Sequence, residues 1–446
     1  EVSSLISCVN ASNVLVDGLV LQEAVGGPAS GGAFIIRDSS KVTVSNCVIR
    51  NNATEGLGAG MNIDSSDVNV TACRFEDNRA VYGGAIAAAY SELAVSQSLF
   101  RSNTASESGG AVSALETSVS LDRSQFSGNH APVGGGMESL FGTGVAVSNC
   151  LFDGNESEVS GGAISLLGEY NESRLVHCTF VGNMAGAYGS AIDSGLVDWL
   201  AVSNSIFALN RGAAIYESLP ILGSAIRNSL FHENEGGIYE AFDIEPFDDP
   251  EILNIIRSEA ENNFAGDPRF VNTDAGDYHL RAQSPAVDTG EPTLNVNMDF
   301  DGFFRPVDLP GTGQEATGTE FDLGAFEFTD GDGDGLPDFW ERLHNLDPTV
   351  PDSDIDDDDD GLDALGEYNH NTQLANADSD GDGLTDGQEV AAGLDPNRDD
   401  SGEDADSDSF SNAEEVGYGT NPLDPDSVPT PSDLVASPEE VTLAED

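Results

Sequence analysis

The stretch Gly83-Gly84-Ala85-Ile86-Ala87, followed by Leu93-Ala94-Val95 and then Ser98-Leu99-Phe100-Arg101-Ser102-Asn103, decides the fold, because close copies of it run down the first half of the chain. Its Phe-x-x-Asn element recurs at Phe75/Asn78, Phe100/Asn103, Phe126/Asn129, Phe152/Asn155, Phe180/Asn183, Phe207/Asn210 and Phe231/Asn234, with Ile49/Asn52 as an earlier copy. Successive aromatic positions stand 24 to 28 residues apart. The glycine block keeps pace at Gly31-Gly32-Ala33-Phe34, Gly109-Gly110-Ala111-Val112, Gly161-Gly162-Ala163-Ile164 and Gly189-Ser190-Ala191-Ile192. A fixed period of this size means one structural unit stacked on itself.

Each unit holds three short apolar stretches, and segments such as Val42-Thr43-Val44-Ser45 and Val68-Asn69-Val70-Thr71 alternate as strands do. No repeat is amphipathic over three helical turns, and 50 glycines in 446 residues disfavour helix. About 25 residues in three strands and three turns make one coil of a right-handed parallel β-helix, with coils about 4.8 Å apart. One coil cannot bury its inward face; a stack can. Phe or Ile then points inward onto its equivalents. The Asn sits at a turn, bonds the next Asn and takes a left-handed backbone, and Gly-Gly makes the bend. Cys47, Cys73, Cys150 and Cys178 stand two residues before the inward position, so they face the core as small buried residues. Five cysteines at coil spacing form no disulfide framework, and without Cys-x-x-Cys they are poor metal ligands. Counting back through Val14–Leu21, nine or ten coils fit between residues 1 and 240, a rod on the order of 45 Å long. The sequence starts inside the pattern with no charged-then-apolar leader, so a secretion signal is taken as removed or not included. No apolar run approaches the roughly 20 residues that span a bilayer.

From residue 241 to 328 the repeat is lost, and a β cap that closes the solenoid is expected. Three blocks follow in order: Ser284-Pro285-Ala286-Val287-Asp288-Thr289-Gly290, then Asp299-x-x-Gly302-x-x-Arg305-Pro306, then Asp322-Leu323-Gly324-Ala325-Phe326-Glu327. Arg305 either pairs with Asp288 or Asp322 to fold this segment, or the three are separate solvated charges. These blocks resemble the ends of secreted bacterial β-helix proteins, of the kind that precede an anchoring segment. The Phe-x-x-Asn and Gly-Gly-Ala-Ile elements resemble the repeats of polymorphic outer-membrane proteins. The resemblance covers residues 12 to 328 and implies an all-β solenoid at the cell surface, with no particular activity.

The composition changes at residue 329. Asp-x-Asp-x-Asp-Gly-x5-Glu occurs as Asp330, Asp332, Asp334, Asp338 and Glu341, as Asp356, Asp358, Asp360 and Glu367, and as Asp378, Asp380, Asp382, Asp386 and Glu389. A weaker copy has Asp404, Asp406, Asp408, Asn412 and Glu415, with Ser409 in place of the glycine. Carboxylates at loop positions one, three and five converge on one point, the glycine at six turns the chain, position seven offers a carbonyl, and the Glu at twelve closes the site with two oxygens. The position-seven residues are Leu336, Leu362, Leu384 and Phe410. Position nine is Asp338, Ala364, Asp386 and Asn412, so the second loop uses water there. Oxygen ligands without His or Cys select Ca2+ at about four sites over zinc or copper. Short helices are expected after the loops, at Phe339 to Leu343 and Gln388 to Ala392, and none before them, since Pro348 and Pro351 precede the second loop. The segment 329–427 resembles thrombospondin type 3 repeats or, less closely, the half-EF loops of dockerins. A disordered acidic tail is the bland alternative. Residues 428–446 read as a linker followed by two strand-like stretches, Leu434-Val435-Ala436 and Val441-Thr442-Leu443, that begin a further domain or add to a sheet edge.

The net charge of −64, from 80 acids against 16 bases, excludes nucleic acid and anionic membranes as partners. Calcium loops fill where the ion is plentiful, which places the chain outside the cell, on a bacterial surface or secreted. The sequons at Asn10, Asn52, Asn69, Asn155 and Asn171 are explained as turn asparagines. A polysaccharide lyase or hydrolase, the enzymatic alternative, needs a basic groove or two placed carboxylates. The repeats hold one lysine, Lys41, while Asp64/Asp67, Asp193/Asp198 and Glu138 form no recognisable cluster, and His130, His177 and His232 read as structural. The sequence therefore reads as a non-enzymatic structural or adhesive protein whose partners are calcium, other copies head-to-tail in a fibre, or surface glycans.

Overall fold

The computed structural model describes residues 5–27, 32–142, 144–168, 172–195, 199–218, 224–257, 259–293, 296–307 and 321–429. Gly31, Asn171, Asp198 and the two strand-like stretches of the C-terminal tail lie outside them. The chain divides into two compact units, Glu1–Phe328 and Thr329–Asp446.

The first unit is a parallel β-helix. The strands of its coils pair in parallel with their equivalents one coil away, as Phe75 with Phe100 and Phe100 with Phe126. Four sheets run along it, where three were expected. The first contains the strands after the glycine block (such as Ile86–Ala89), the second Glu92–Ser96 and its equivalents, and the third the Phe strands (Leu99–Arg101). The unforeseen fourth sheet has seven strands, among them Thr104–Ser108. Its strands are two to five residues long and mix polar and apolar residues irregularly, so no alternation marks them.

Stacking accounts for the recurring residues. The Phe75, Phe100, Phe126, Phe152, Phe180, Phe207 and Phe231 rings are buried and lie nearly parallel, with centroids 4.6 to 5.1 Å apart. Beside them runs an amide ladder. Asn103 Nδ2 donates to Asn129 Oδ1 at 3.0 Å and to the Phe75 carbonyl at 2.9 Å. The same pattern holds from Asn52 to Asn234. The left-handed backbone, however, belongs to the residue before each Asn: Asn51, Asp77, Ser102, Gly128, Gly154, Gly182, Leu209 and Glu233. The ladder asparagine must turn its amide inward, so the preceding residue makes the turn. Asn52 and Asn155 are thereby buried, whereas the sequons at Asn10 and Asn69 are exposed. In the glycine block, the first residue is left-handed (Gly109, φ 64°), and a Cβ on the second, Gly110, would sit 2.0 Å from the Gly135 carbonyl of the next coil. All five cysteines are buried thiols. Burial pushes Cys178 up to about 12.

The segment after the repeat does two separate jobs. At the end of the stack, the antiparallel strand Ile244–Phe247 joins the first sheet, and helix α1 (Pro250–Ile256) inserts Leu253 into the core. Arg257 there bonds both buried Glu217 and Tyr239. The three blocks with known counterparts lie instead along a flank. Val287, Leu323, Ala325 and Phe326 pack on the outward residues Leu151, Val181, Ile206 and Leu230 of the third sheet. Arg305 is buried and pairs with Glu327, at 3.2 Å, rather than with Asp288 or Asp322. It also donates to the carbonyls of Asp322 and Gly324, and Asp322 Oδ1 accepts the Asp288 N–H. His177, buried beside Arg305, is held neutral by desolvation and by that positive charge. No helix among the described residues is long and apolar enough to cross a membrane.

Candidate metal centre

The second unit is built from loops, each followed by a short helix: α2 (Asp338–Leu343), α3 (Ala364–His370), α4 (Asp386–Ala392) and α5 (Asn412–Tyr418). Caps mark their starts. Thr385 with Gln388, and Ser411 with Glu414, form capping boxes, and Asp363 caps α3. Among the described residues, no helix leads directly into a loop.

The loops fold on their own carboxylates. In the third, Asp378 accepts the N–H groups of Gly381 and Gly383, Asp380 that of Asp382, and Asp382 Oδ1 that of Leu384. These bonds fix the carboxylates in place: Asp378 accepts through both oxygens, while Asp380 keeps Oδ2 without a partner. The oxygens of Asp330, Asp332 and Asp334 converge within 4.8 Å, as do those of Asp356, Asp358 and Asp360 and those of Asp378, Asp380 and Asp382. Position six is left-handed throughout: Gly335, Gly361 and Gly383 at φ 98–102°, and Ser409 at 88°. Leu336 and Leu384 are buried, while Leu362 and Phe410 are half-buried. At position nine, Asp338, Asp386 and Asn412 each accept an N–H from loop position two, namely Gly331, Ser379 and Ala405.

The glutamates that close the loops carry the strongest signal. Glu341, Glu367, Glu389 and Glu415 are buried, and none of their eight carboxyl oxygens has a hydrogen-bond partner. Burial, reinforced by the neighbouring aspartates, pushes Glu341 and Glu389 up to about 8 and Glu367 to about 7. Asp332, Asp358, Asp380 and Asp406 each hold one orphaned buried oxygen as well.

Two further acids, Asp400 and Asp352, were not found by the loop pattern, and Asp386, found as position nine of the third loop, also serves the loop before it. Asp400 joins Asp382 and Glu389 in one cluster, and Asp386 joins Asp360 and Glu367 of the preceding loop. Asp352 acts on Glu341 and has an orphaned buried oxygen. Asp334 Oδ2 fixes the first approach by accepting the Asp352 and Ser353 N–H groups, and Asp382 Oδ2 does the same for Asp400 and Ser401. Asp352 and Asp400 both stand 22 residues after the first Asp of their loop, a regularity visible in the sequence.

The family of the right-handed beta helix region matches residues 5–118, the Chlamydia polymorphic membrane protein repeat matches 149–166, and the bacterial TSP3 repeat matches 378–398 and 410–425. The first unit has the fold of a right-handed parallel β-helix, and the second contains segments similar to bacterial TSP3 repeats. No curated protein matches the chain. These repeat families are typical of bacterial surface or secreted proteins, and they point to a structural or surface role.

TSP3 repeats are a calcium-binding family, and the donor set fits that ion. A buried, unpartnered carboxylate costs several kcal/mol unless a charge meets it. A hard divalent cation would do so through oxygen ligands alone. The groups once weighed for catalysis lie elsewhere. Asp64 ends the strand Met61–Asp64, Asp67 starts the next strand, and Glu138 and Asp193 occupy one row of the first sheet, two coils apart.

Proposed function

We propose that this chain is a non-enzymatic, secreted or cell-surface structural and adhesive protein: a self-sufficient β-helix carried with a tail that calcium completes. The observation that carries this reading is the set of closing glutamates, buried with both oxygens unpartnered. We assign Asp330, Asp332, Asp334 and Glu341 to one site, with the matching residues of the other loops to three more. Asp352, Asp386 and Asp400 add a carboxylate from outside the loop. Position nine supports the first, third and fourth loops through its bond to position two. Sites of this kind fill outside the cell, where calcium is abundant.

Calorimetric titration of the chelator-treated chain tests the reading. Heat saturating near four equivalents of calcium is expected, and its absence would remove the site assignments. End-to-end association is a second reading, favoured by the exposed Leu15, Val20 and Val25 on the first coil and the exposed Phe242 and Ile255 at the opposite end. Contacts of that kind do not close and would give filaments. Negative-stain images showing single particles with and without calcium would dismiss it.

A further inference from the structure

The outward face of the first sheet contains a cleft of about 530 Å³. Its floor is a row that the register aligns coil by coil as Asn62, Ala87, Ser113 and Glu138. Tyr82 and Tyr90 bracket the strand Ile86–Ala89 and line the cleft on either side, 41% and 57% exposed.

Two features here are not explained by the stacking of the rod. Tyr90 holds a left-handed backbone, φ 53°, at a corner where the neighbouring coils place Ser65 and Glu116, and Phe141 does the same at φ 52°. Bulky residues seldom take this conformation, which costs about 1–2 kcal/mol. Both side chains are more than half exposed, so burial does not offset that cost. The second feature is a repeated constellation. Ser108 and Ser113 donate to Glu138 Oε2, which leaves Oε1 for a ligand. Two coils on, Ser160 and Ser165 hold Asp193 in the same way. Both copies read Ser-Gly-Gly-Ala-(Val/Ile)-Ser, at 108–113 and 160–165, with the acid one coil later in the row. Burial raises both carboxyls towards their neutral forms, Asp193 to about 6.

Exposed aromatic faces, a floor of small residues and a few buried groups that bond hydroxyls are what a sugar ring requires: apolar C–H faces meet the rings, and hydroxyl edges meet the polar groups. The net charge of −64 disfavours uronate or sulfated chains. A basic peptide would be drawn to exposed carboxylates, whereas Glu138 is 7% exposed and tied to two hydroxyls. We propose that this cleft binds an uncharged glycan lying along the rod, with Tyr82 and Tyr90 stacked on its rings and Glu138 bonded to a hydroxyl. This rests on the adhesive reading and names its ligand class. Coils advance by about 4.8 Å, so successive sugar rings meet successive coils. The second constellation prolongs the track towards Tyr188 and Tyr216, whose ring centroids are 4.5 Å apart. Glu138 and Asp193 are about 9.6 Å apart along the rod, at the outer edge of the roughly 6.5–9.5 Å used by an inverting pair. What is proposed is binding.

The test titrates the full calcium-loaded chain with hexasaccharides of β-1,4-linked glucose, mannose and xylose and of α-1,4-linked glucose, with a galacturonate hexamer as the anionic arm. At least one neutral chain should bind. Tyr90→Ala should weaken it by about tenfold or more without changing the circular dichroism, and Glu138→Gln by less. Phe242→Ala should leave binding unaltered. The proposal is overturned if no neutral hexasaccharide binds at millimolar concentration, if only the uronate binds, or if the Tyr82→Ala/Tyr90→Ala double variant binds as the parent does. Calcium heat is recorded on the same samples. Its loss with glycan binding intact strikes the tail assignment instead.

Discussion

Asn103 of the rod and Glu389 of the tail are both fully buried polar side chains, and their surroundings treat them in opposite ways. Asn103 Oδ1 accepts two N–H groups from Asn78, and Asn103 Nδ2 donates to Asn129 and to the Phe75 carbonyl. Every coil supplies the partner that the next coil lacks. Glu389 has no partner for either oxygen, and its nearest charges are aspartates. A buried polar group that is bonded costs little; one that is not costs about 1–3 kcal/mol, and more if charged. The asparagine ladder is thus satisfied from within the rod, whereas the closing glutamates of the tail find no partner in the chain.

Chelation should break this comparison most visibly. Each site held at 1,000 times its dissociation constant contributes about 4 kcal/mol. Chelator is expected to bring amide exchange in the helices α2 to α5 close to that of an unfolded chain, with the coils from Met61 to His232 still protected. A tail equally protected with and without calcium would mean that its carboxylates are satisfied some other way.

Phe126→Ala attacks the other side. The ring lies 4.6 and 4.8 Å from its two neighbours, so truncation leaves a gap inside a continuous stack. A loss of about 3–5 kcal/mol is expected in guanidinium unfolding of the rod, centred on the adjacent coils. The calcium titration should be unchanged; a shift in it would show that the two units do not fold separately.

Asp193 sharpens the comparison, because it is a buried acid within the rod. Burial raises it from 3.8 to about 6, so the folded rod keeps a proton that the unfolded chain releases. Rod stability should therefore fall as pH rises from about 4 to 6, by roughly 3 kcal/mol in total. Asp193→Asn should flatten this profile and leave the variant the more stable protein at pH 7. An unaltered slope would place the titration elsewhere.

The legible parts of this chain were those in which one coil or one loop holds the whole signal. Phe, Asn and Gly-Gly recur because each stacks on its own copy, and the loop aspartates stand at fixed spacing because one short loop gathers them. The fourth sheet was missed because strands such as Glu156–Ser160 bury only two of five side chains. The flank was read as an end cap because its target is a row of outward residues, Leu151, Val181, Ile206 and Leu230, whose apolar character appears only when the coils are aligned. Arg305 was given the wrong carboxylates for a similar reason: the fold also brings Glu327 to it, and the Asp288 and Phe328 N–H groups take the two oxygens of Asp322. Asp352 and Asp400 lie outside the loops they approach, so a motif that ends at position twelve cannot contain them.

The smallest expected effect separates loop geometry from ligand charge. Ser409 replaces the glycine of the other three loops yet adopts the same left-handed backbone, φ 88°, and its N–H still bonds Asp404 Oδ2 at 3.0 Å. The fourth loop therefore keeps the shape and carries the strain of a Cβ, about 1 kcal/mol. Ser409→Gly should relieve it and tighten the weakest calcium step by about fivefold, with no change in the rod's unfolding midpoint. Gly383→Ser in the third loop should cost a similar amount in the opposite direction. If both variants leave their steps unmoved, position six does not limit affinity, and the difference between the fourth loop and the others lies in its ligands, Asn412 in place of Asp386 among them.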